Sequence, residues 1–165
     1  VVDSFNGAPD RYDWTLVGKQ EMLVPYNSYA VHQKGISYDQ IVLPRTLNPE
    51  LLRYELHRVW IVEAALRTGY SHPYAARRFY IDEDSWQILA VDLRDKDGEL
   101  IGLQESHPIN YYDVPMFGST LETLYHLQDN NYFVDGLDNN EPMYNFDANL
   151  TPRDFSPQAL RRAGN

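Results

Sequence analysis

The sequence predicts a mainly β protein built on an antiparallel sheet, and three observations support this prediction. The 165 residues include 13 tyrosines, 6 phenylalanines and 3 tryptophans, and aromatic side chains favour the pleated surface of a sheet. Several stretches alternate apolar and polar residues with the period of a strand. Short turn sequences such as Asp97-Gly98 separate these stretches, as they do in hairpins.

The first predicted strand spans residues 13–24. Its apolar side chains fall on alternate positions to either side of Gly18: they are Trp14, Leu16, Met22 and Val24. The glycine is expected to mark a bend or a bulge, because glycine within a strand accepts backbone conformations that other residues avoid. Pro25 then ends the strand, since proline has no N–H group for a ladder hydrogen bond.

Residues 26–45 show no sustained periodicity, and Pro44, Asn48 and Pro49 punctuate the end of this stretch. The pattern predicts a long surface loop. Asn48 is expected to cap a short helix that reaches Leu52, because Pro49 at the first helical position loses no hydrogen bond.

Two interpretations compete for residues 53–67. A helix would gather Leu52, Leu56, Val59 and Trp60 into one stripe, whereas a strand would alternate Leu56, Trp60, Val62, Ala64 and Leu66. The run from residue 59 to residue 62 favours the strand, because β-branched and aromatic side chains are restricted against a helix turn.

A meander of three strands is the clearest topological signal. The predicted strands are residues 77–82, 86–92 and 99–105, joined by turns at residues 82–85 and 96–98. A further pair is predicted for residues 121–128 and 132–137. The tail is expected to be irregular until Ser156-Pro157 opens a short helix to Arg162.

Composition excludes several classes of function. The formal net charge is -10, which opposes the phosphate neutralisation on which nucleic-acid binding depends. The chain has no cysteine, so disulfides and thiolate metal sites are excluded. The five histidines lack the spacing of a zinc hydrolase helix. We therefore expect no metal site, no cofactor and no nucleic-acid partner.

The common catalytic motifs are also missing. The sequence has no Gly-x-Ser-x-Gly elbow, no glycine-rich phosphate loop and no dinucleotide fingerprint, so we predict that the protein is not an enzyme. Glu105, His107 and Asp113 are the one group that would suit general acid–base chemistry if they converged. We favour the alternative that they pin a turn before Pro108.

The run Arg77-Arg78-Phe79-Tyr80-Ile81-Asp82 suggests a binding surface. Strand alternation places Arg77, Phe79 and Ile81 on one face, and Arg78 on the other. Arg78 is expected to pair with carboxylates at a sheet edge. Either arginine, at the mouth of an apolar cavity, would suit the head group of a lipid or fatty acid.

Several longer stretches resemble a known protein family. They are Arg11-Tyr12-Asp13-Trp14, residues 16–22, Val24-Pro25-Tyr26-Asn27, Leu47-Asn48-Pro49, residues 53–60, Arg77-Arg78-Phe79-Tyr80, residues 82–86, residues 110–115, Gly136-Leu137-Asp138-Asn139 and residues 160–164. The sequence is similar to the C-terminal part of a proteobacterial family known only as a domain of unknown function and grouped with the outer-membrane lipoprotein-sorting (LolA/LolB-like) superfamily. The resemblance covers nearly the whole chain.

The resemblance implies a fold, a location and a class of ligand. The expected fold is a curved, incompletely closed antiparallel sheet, a half-open barrel, with short helices and long loops. Residues 1–165 would form a single β-rich domain, the C-terminal portion of a longer exported protein that is periplasmic or associated with the outer membrane. The cavity of such carriers accepts acyl chains, and the resemblance carries no catalytic residues.

Together these observations predict a carrier that binds a lipid, an acyl chain or a lipoprotein, with envelope export proteins as possible partners. The proposed ligand contacts are the apolar residues of one concave face, Trp14, Leu16, Trp60, Val62, Phe79, Ile81 and Ile88, with Arg77 and Arg78 for a head group. The alternative is a non-catalytic interaction module that docks an envelope partner or a second copy through exposed edge strands.

Overall fold

The structure, a computed structural model, describes residues 2–164. Its main element is a seven-stranded antiparallel sheet with the order β1-β4-β5-β6-β7-β8-β9. The strands are β1 (Tyr12–Pro25), β4 (Tyr54–Leu66), β5 (Ala76–Asp82), β6 (Ile88–Arg94), β7 (Leu100–Tyr111), β8 (Met116–His126) and β9 (Asn131–Asp135), with a separate two-stranded sheet of β2 (Val42–Leu43) and β3 (Thr46–Leu47). The sheet is open, since β1 and β9 end the order.

The first strand contains the predicted irregularity. The pairing of β1 with β4 shifts register between Leu16 and Gly18, and Gly18 has a φ of 148°, which side chains with a Cβ rarely adopt. Apolar side chains still occupy alternate positions on each side of the bulge. Residues 54–66 form a strand and not a helix, as their β-branched run predicts.

The meander β5–β6–β7 is confirmed, and its turns are fixed by local hydrogen bonds. At the first turn, Asp82 Oδ2 accepts from the Ser85 backbone N–H at 2.9 Å and from the Ser85 hydroxyl at 2.6 Å. At the second turn, the Asp95 carboxylate accepts from two backbone N–H groups and Gly98 has a φ of 83°. Both turns are therefore specified by the short polar residues that the sequence places there.

The prediction of a turn before Pro108 is wrong. β7 runs through Pro108 to Tyr111 and pairs with β8 from Gly102 to Tyr111. The strand tolerates this proline for two reasons. The register shifts between His107 and Pro108, and β7 has no partner on β6 beyond Glu105. The Pro108 carbonyl accepts from the Ser28 backbone N–H instead.

The predicted loop between β1 and β4 contains short elements of its own. These are α1 (Tyr29–His32), α2 (Tyr38–Ile41), the β2–β3 pair and a 3-10 helix at Pro49–Leu51. Asn48 caps the 3-10 helix as predicted, accepting from the Glu50 N–H at 3.1 Å. The segment packs through Val31, Ile41 and Leu47 against Leu121 of β8.

The sheet is strongly curved. A flat sheet would separate β4 from β7 by three strand spacings, about 14 Å. The Tyr54 hydroxyl nevertheless donates to Glu105 Oε1 at 3.0 Å, and Ser28, just beyond β1, contacts Pro108. The β5–β6 hairpin stops short of this end of the sheet, since its last partner on β4 is Val59. The ends of β4 and β7 converge beyond the hairpin.

The C-terminal region follows the sequence prediction. After β9, residues 140–155 are exposed and contain one 3-10 helix, Pro152–Phe155. The helix α3 spans Pro157–Ala163, and the Ser156 side chain accepts from the Ala159 N–H at its first turn. Among the described helices, none is long and apolar enough to cross a lipid bilayer.

Candidate functional site

The strand register places all seven predicted apolar contacts on one face of the sheet, which we call the apolar face. Leu16 of β1 lies opposite Val62 of β4, and Val62 lies opposite Phe79 of β5. The neighbouring row joins Trp60, Ile81 and Ile88 in the same way. The face is continuous across four strands.

The N-terminal segment covers part of this face. The ring of Phe5 makes edge contacts with Trp14 and Phe79, with centroids 5.6 Å apart in both pairs. Phe79 is buried in the core, while Trp14 keeps 41% of its surface exposed. Phe79 therefore contributes to packing, and Trp14 lies at the border of the covered area.

The other five residues form what we call the apolar stripe: Leu16, Trp60, Val62, Ile81 and Ile88. Leu16 is 64% exposed, and the other four are partly buried. Trp86, in the β5–β6 turn, is 69% exposed and stacks on Trp60 with a centroid separation of 6.5 Å. The stripe and this tryptophan present an uncovered apolar surface.

A charged row borders the stripe. Lys19 Nζ lies 4.0 Å from the ring centroid of Trp60 and 2.6 Å from Glu83 Oε2, and Arg58 also pairs with Glu83. Hydrogen bonds from Arg58 and Lys19 lower the pKa of Glu83 to about 2. The carboxylate is therefore ionised, and the row separates the stripe from the exposed Leu23–Leu56 pair.

The two predicted head-group arginines lie on opposite faces. Arg77 shares the apolar face and is buried, whereas Arg78 lies on the other face with its Nε 3.3 Å from a Glu63 carboxylate oxygen. Arg78 pairs with a carboxylate as predicted, although β5 is an interior strand and not a sheet edge. The geometry leaves only Arg77 beside the stripe.

The candidate acid–base group does not converge. His107 Nε2 lies 3.9 Å from Glu105 Oε2, and both residues are largely buried. Asp113 is exposed in the turn between β7 and β8, and the described residues show no contact between it and the other two. Burial lowers the pKa of His107 to about 4 and raises the pKa of Glu105, so the imidazole is neutral at pH 7.

Sequence reasoning missed a polar cluster around Asp138. His32 Nδ1 lies 2.8 Å from Asp138 Oδ1, and the Thr120 hydroxyl donates to the same oxygen at 2.6 Å. The Tyr111 hydroxyl donates to Oδ2 at 3.3 Å. A hollow of about 230 Å³ adjoins His32 and Asp138. The cluster ties α1, β7 and β8 to the segment after β9. Two stretches of the family resemblance, residues 110–115 and Gly136-Leu137-Asp138-Asn139, contain Tyr111 and Asp138 but gave no sign that these side chains meet.

A second histidine is also engaged in packing. The His57 ring stacks on Tyr26 at a centroid distance of 3.9 Å, and its Nδ1 lies 3.1 Å from Asp82. Potential ligand atoms of His57, Asp82 and Asp84 lie within 4.8 Å of one another. Because the buried Asp82 already accepts hydrogen bonds from Ser85, this arrangement fixes the β5–β6 turn.

The open, curved antiparallel sheet with short helices resembles the fold of two solved structures. A Vibrio parahaemolyticus domain assigned by name to outer membrane lipoprotein sorting superposes with a TM-score of 0.50 at 13% identity, covering 93% of this chain and 49% of that one. A DUF1329 family protein from Desulfovibrio piger gives a TM-score of 0.50 at 17% identity, covering 92% and 48%. At these identities the likeness concerns the fold alone.

The chain belongs to the family described as protein of unknown function (DUF1329), whose model matches residues 1–161. Uncharacterized protein PA3922 of Pseudomonas aeruginosa is 46% identical over 163 residues, which are 98% of this chain and 36% of that protein. The chain therefore spans about a third of this relative's length and about half of each solved structure.

Proposed function

We propose that this domain binds an apolar ligand, an acyl chain of a lipid or lipoprotein, on the apolar stripe, and that it serves as a carrier in the Gram-negative envelope, in the periplasm or at the outer membrane. The observation that carries the proposal is the uncovered apolar surface formed by Leu16, Trp60 and Trp86 beside half-buried aliphatic residues. The carrier-like fold supports the envelope role.

An exposed apolar surface of this kind marks an interaction site. Full burial of a leucine side chain contributes roughly 1.5–3 kcal/mol of stabilising free energy. A leucine that leaves two thirds of its surface in water loses part of that contribution. Contiguous apolar patches with a charged rim are typical of binding surfaces. Here Lys19 and Glu83 form that rim.

The test compares two matched leucines of β1. Leu16 and Leu23 are 64% and 65% exposed, but only Leu16 belongs to the stripe. Leu16→Asn is expected to weaken the binding of a fluorescent apolar probe and of a displacing fatty acid about tenfold, the equivalent of roughly 1.4 kcal/mol. Leu23→Asn should leave both affinities within about twofold of the unsubstituted chain.

Two results would contradict the proposal. One is that the unsubstituted chain binds neither the probe nor the fatty acid. The other is that both substitutions weaken binding equally, since the ligand would then not distinguish the stripe from other exposed leucines. Circular dichroism of both variants checks that they fold alike.

A second candidate function is docking through an edge strand. β1 ends the strand order, is 14 residues long and leaves one edge unpaired within the described chain. Val17, at its bulge, is 47% exposed. Unprotected edges of this length pair readily with other strands.

If a second copy docks there, Val17→Lys should abolish concentration-dependent dimerisation in analytical ultracentrifugation. A chain that is monomeric at all concentrations would exclude docking of a second copy.

A further inference from the structure

A second hollow lies under the N-terminal segment, at the opposite end of the apolar face from Trp86. Its volume is about 310 Å³. Its walls come from residues 4–8, the end of the 3-10 helix before β1, the start of β1, the loop between β4 and β5, and strands β5, β7 and β8. The polar lining comprises Ser4, Asn6, Arg11, His72, Arg77 and Gln104. All lining residues belong to the described chain, and none of them is an aspartate or a glutamate.

Arg77 lies in this wall without a carboxylate partner among residues 2–164. Only 9% of its surface is exposed. Its Nη1 donates to the Tyr12 hydroxyl, and its guanidinium carbon lies 5.1 Å from the ring centroid of Tyr12 and 5.6 Å from those of Phe5 and Tyr74. The aromatic rings offset part of the cost of burying the cation, but they supply no counter-charge.

Two arginines in and just after β4 behave differently. Arg58 pairs with Glu83 and Arg67 pairs with Asp13, each at 2.6–2.7 Å. The chain as a whole has 24 acidic and 14 basic residues, so a carboxylate is usually available to an arginine. A hollow that contains two arginines and no acid is therefore a local positive field in a negatively charged protein, and such a field attracts anions.

We propose that this hollow binds an oxyanion, a carboxylate or a phosphate group. Arg77 donates from the floor of the site, Arg11 donates from its exposed rim, and the buried Gln104 amide supplies a further polar contact. A guanidinium matches the planar oxygens of both anions. The desolvated floor strengthens the pairing relative to an exposed salt bridge.

The oxyanion site also fits the apolar stripe, a step that rests on the proposed function. Arg77 and Ile81 lie four residues apart on the same face of β5, a distance of about 13 Å along the strand. An acidic amphiphile would place its head group beside Arg77 and extend its chain toward Trp60 and Ile81 by displacing the ring of Phe5, which covers Phe79 between Arg77 and Ile81. The substrate class is then an anionic lipid or a fatty acid.

His72 provides a readout inside the hollow. Burial lowers the pKa of its imidazole, and the positive charge of Arg77 lowers it further. An anion bound between the two would offset the charge of Arg77 and raise the pKa of His72. NMR titration of this histidine with and without anion therefore localises the binding event.

The experiment titrates the chain with inorganic phosphate and with butyrate, using chloride as the control anion, and follows chemical shifts and calorimetric heats. Arg77→Gln is expected to weaken anion binding about tenfold or more. Arg11→Gln, an exposed rim substitution that tests the site without altering the core, should weaken it about threefold. Arg78→Gln, on the opposite face of the same strand, should change the affinity less than about twofold.

The outcomes identify the anion and separate the oxyanion site from the proposal that the apolar stripe binds an acyl chain. Tighter binding of phosphate assigns a phosphate head group, and tighter binding of butyrate assigns a carboxylate. The absence of shifts at His72 and Arg77, or equal losses in Arg77→Gln and Arg78→Gln, would overturn the oxyanion site. Neither anion has a long apolar chain, so these titrations succeed or fail independently of the probe binding that tests the apolar stripe.

Discussion

His107 lies at the centre of the curved end of the sheet, where β7 meets the start of β4. It has no exposed surface, and neither ring nitrogen has a hydrogen-bond partner among the described residues. Burial lowers the pKa of this imidazole to about 4, whereas an unfolded chain titrates near 6.5. Between about pH 4 and pH 6.5 the unfolded chain therefore binds one more proton than the folded protein, and stability falls as the pH is lowered through this window.

The magnitude follows from the pKa difference. A difference of about 2.5, at about 1.4 kcal/mol for each pKa unit, gives a loss of roughly 3 kcal/mol of unfolding free energy by pH 4. Glu105, 3.9 Å away, acts in the opposite direction. Burial raises its pKa, so its contribution is present at low pH and is lost as the pH rises through the folded value.

A His107→Leu variant isolates the histidine from the carboxylate. Urea unfolding, followed by tryptophan fluorescence at pH 7 and pH 4.5, should show that the unsubstituted chain loses roughly 2–3 kcal/mol more than the variant. At pH 7 the variant should be at least as stable, because it replaces two unpaired buried nitrogens with an apolar side chain.

Two results would refute this reasoning. Equal pH dependence of the two proteins would mean that His107 titrates normally in the folded state. A variant that is less stable at pH 7 by more than about 2 kcal/mol would mean that the imidazole has a hydrogen-bond partner in the folded protein.

Three further predictions concern single contacts. Asp138→Asn removes the charge that accepts from His32 and Thr120 and should lower the unfolding free energy by about 2–3 kcal/mol in urea titrations; an unchanged midpoint would contradict the tethering role. Gly98→Ala should cost about 1 kcal/mol because φ is 83°, and Gly98→Asn should cost less, so equal losses would argue against backbone strain. Tyr54→Phe removes the hydrogen bond that lowers the pKa of Glu105 and should raise that pKa in NMR titrations; a pKa that stays constant would show that the bond is absent.

Most strands were predictable because their signals are local. The alternation around Gly18 and the hydrogen-bonding turn residues Asp82 and Asp95 act within a few positions of the chain. The end of β7 was mispredicted for a non-local reason. A proline normally interrupts a ladder, and the strand continues through Pro108 because the register shifts there and because β7 has no partner on β6 beyond Glu105.

The candidate site was likewise predictable only in part. Alternation correctly separated Arg77 from Arg78 and gathered Leu16, Trp60 and Ile81 on one face, because the period of a strand fixes the face of each side chain. It gave no information about which of these residues other segments cover. Phe5 covers Phe79 and leaves Leu16 exposed, which depends on how the N-terminal segment folds back over the sheet.

The sequence by itself determined an antiparallel sheet, its main turns and the composition of its apolar face. The tertiary structure alone decided the curvature that brings Tyr54 to Glu105, the pairing of His32 with Asp138 across 106 positions, and the isolation of Arg77 from every described carboxylate. The physical reason is that periodicity and turn chemistry are properties of neighbouring residues. Burial and charge pairing depend on which distant segments the fold brings together.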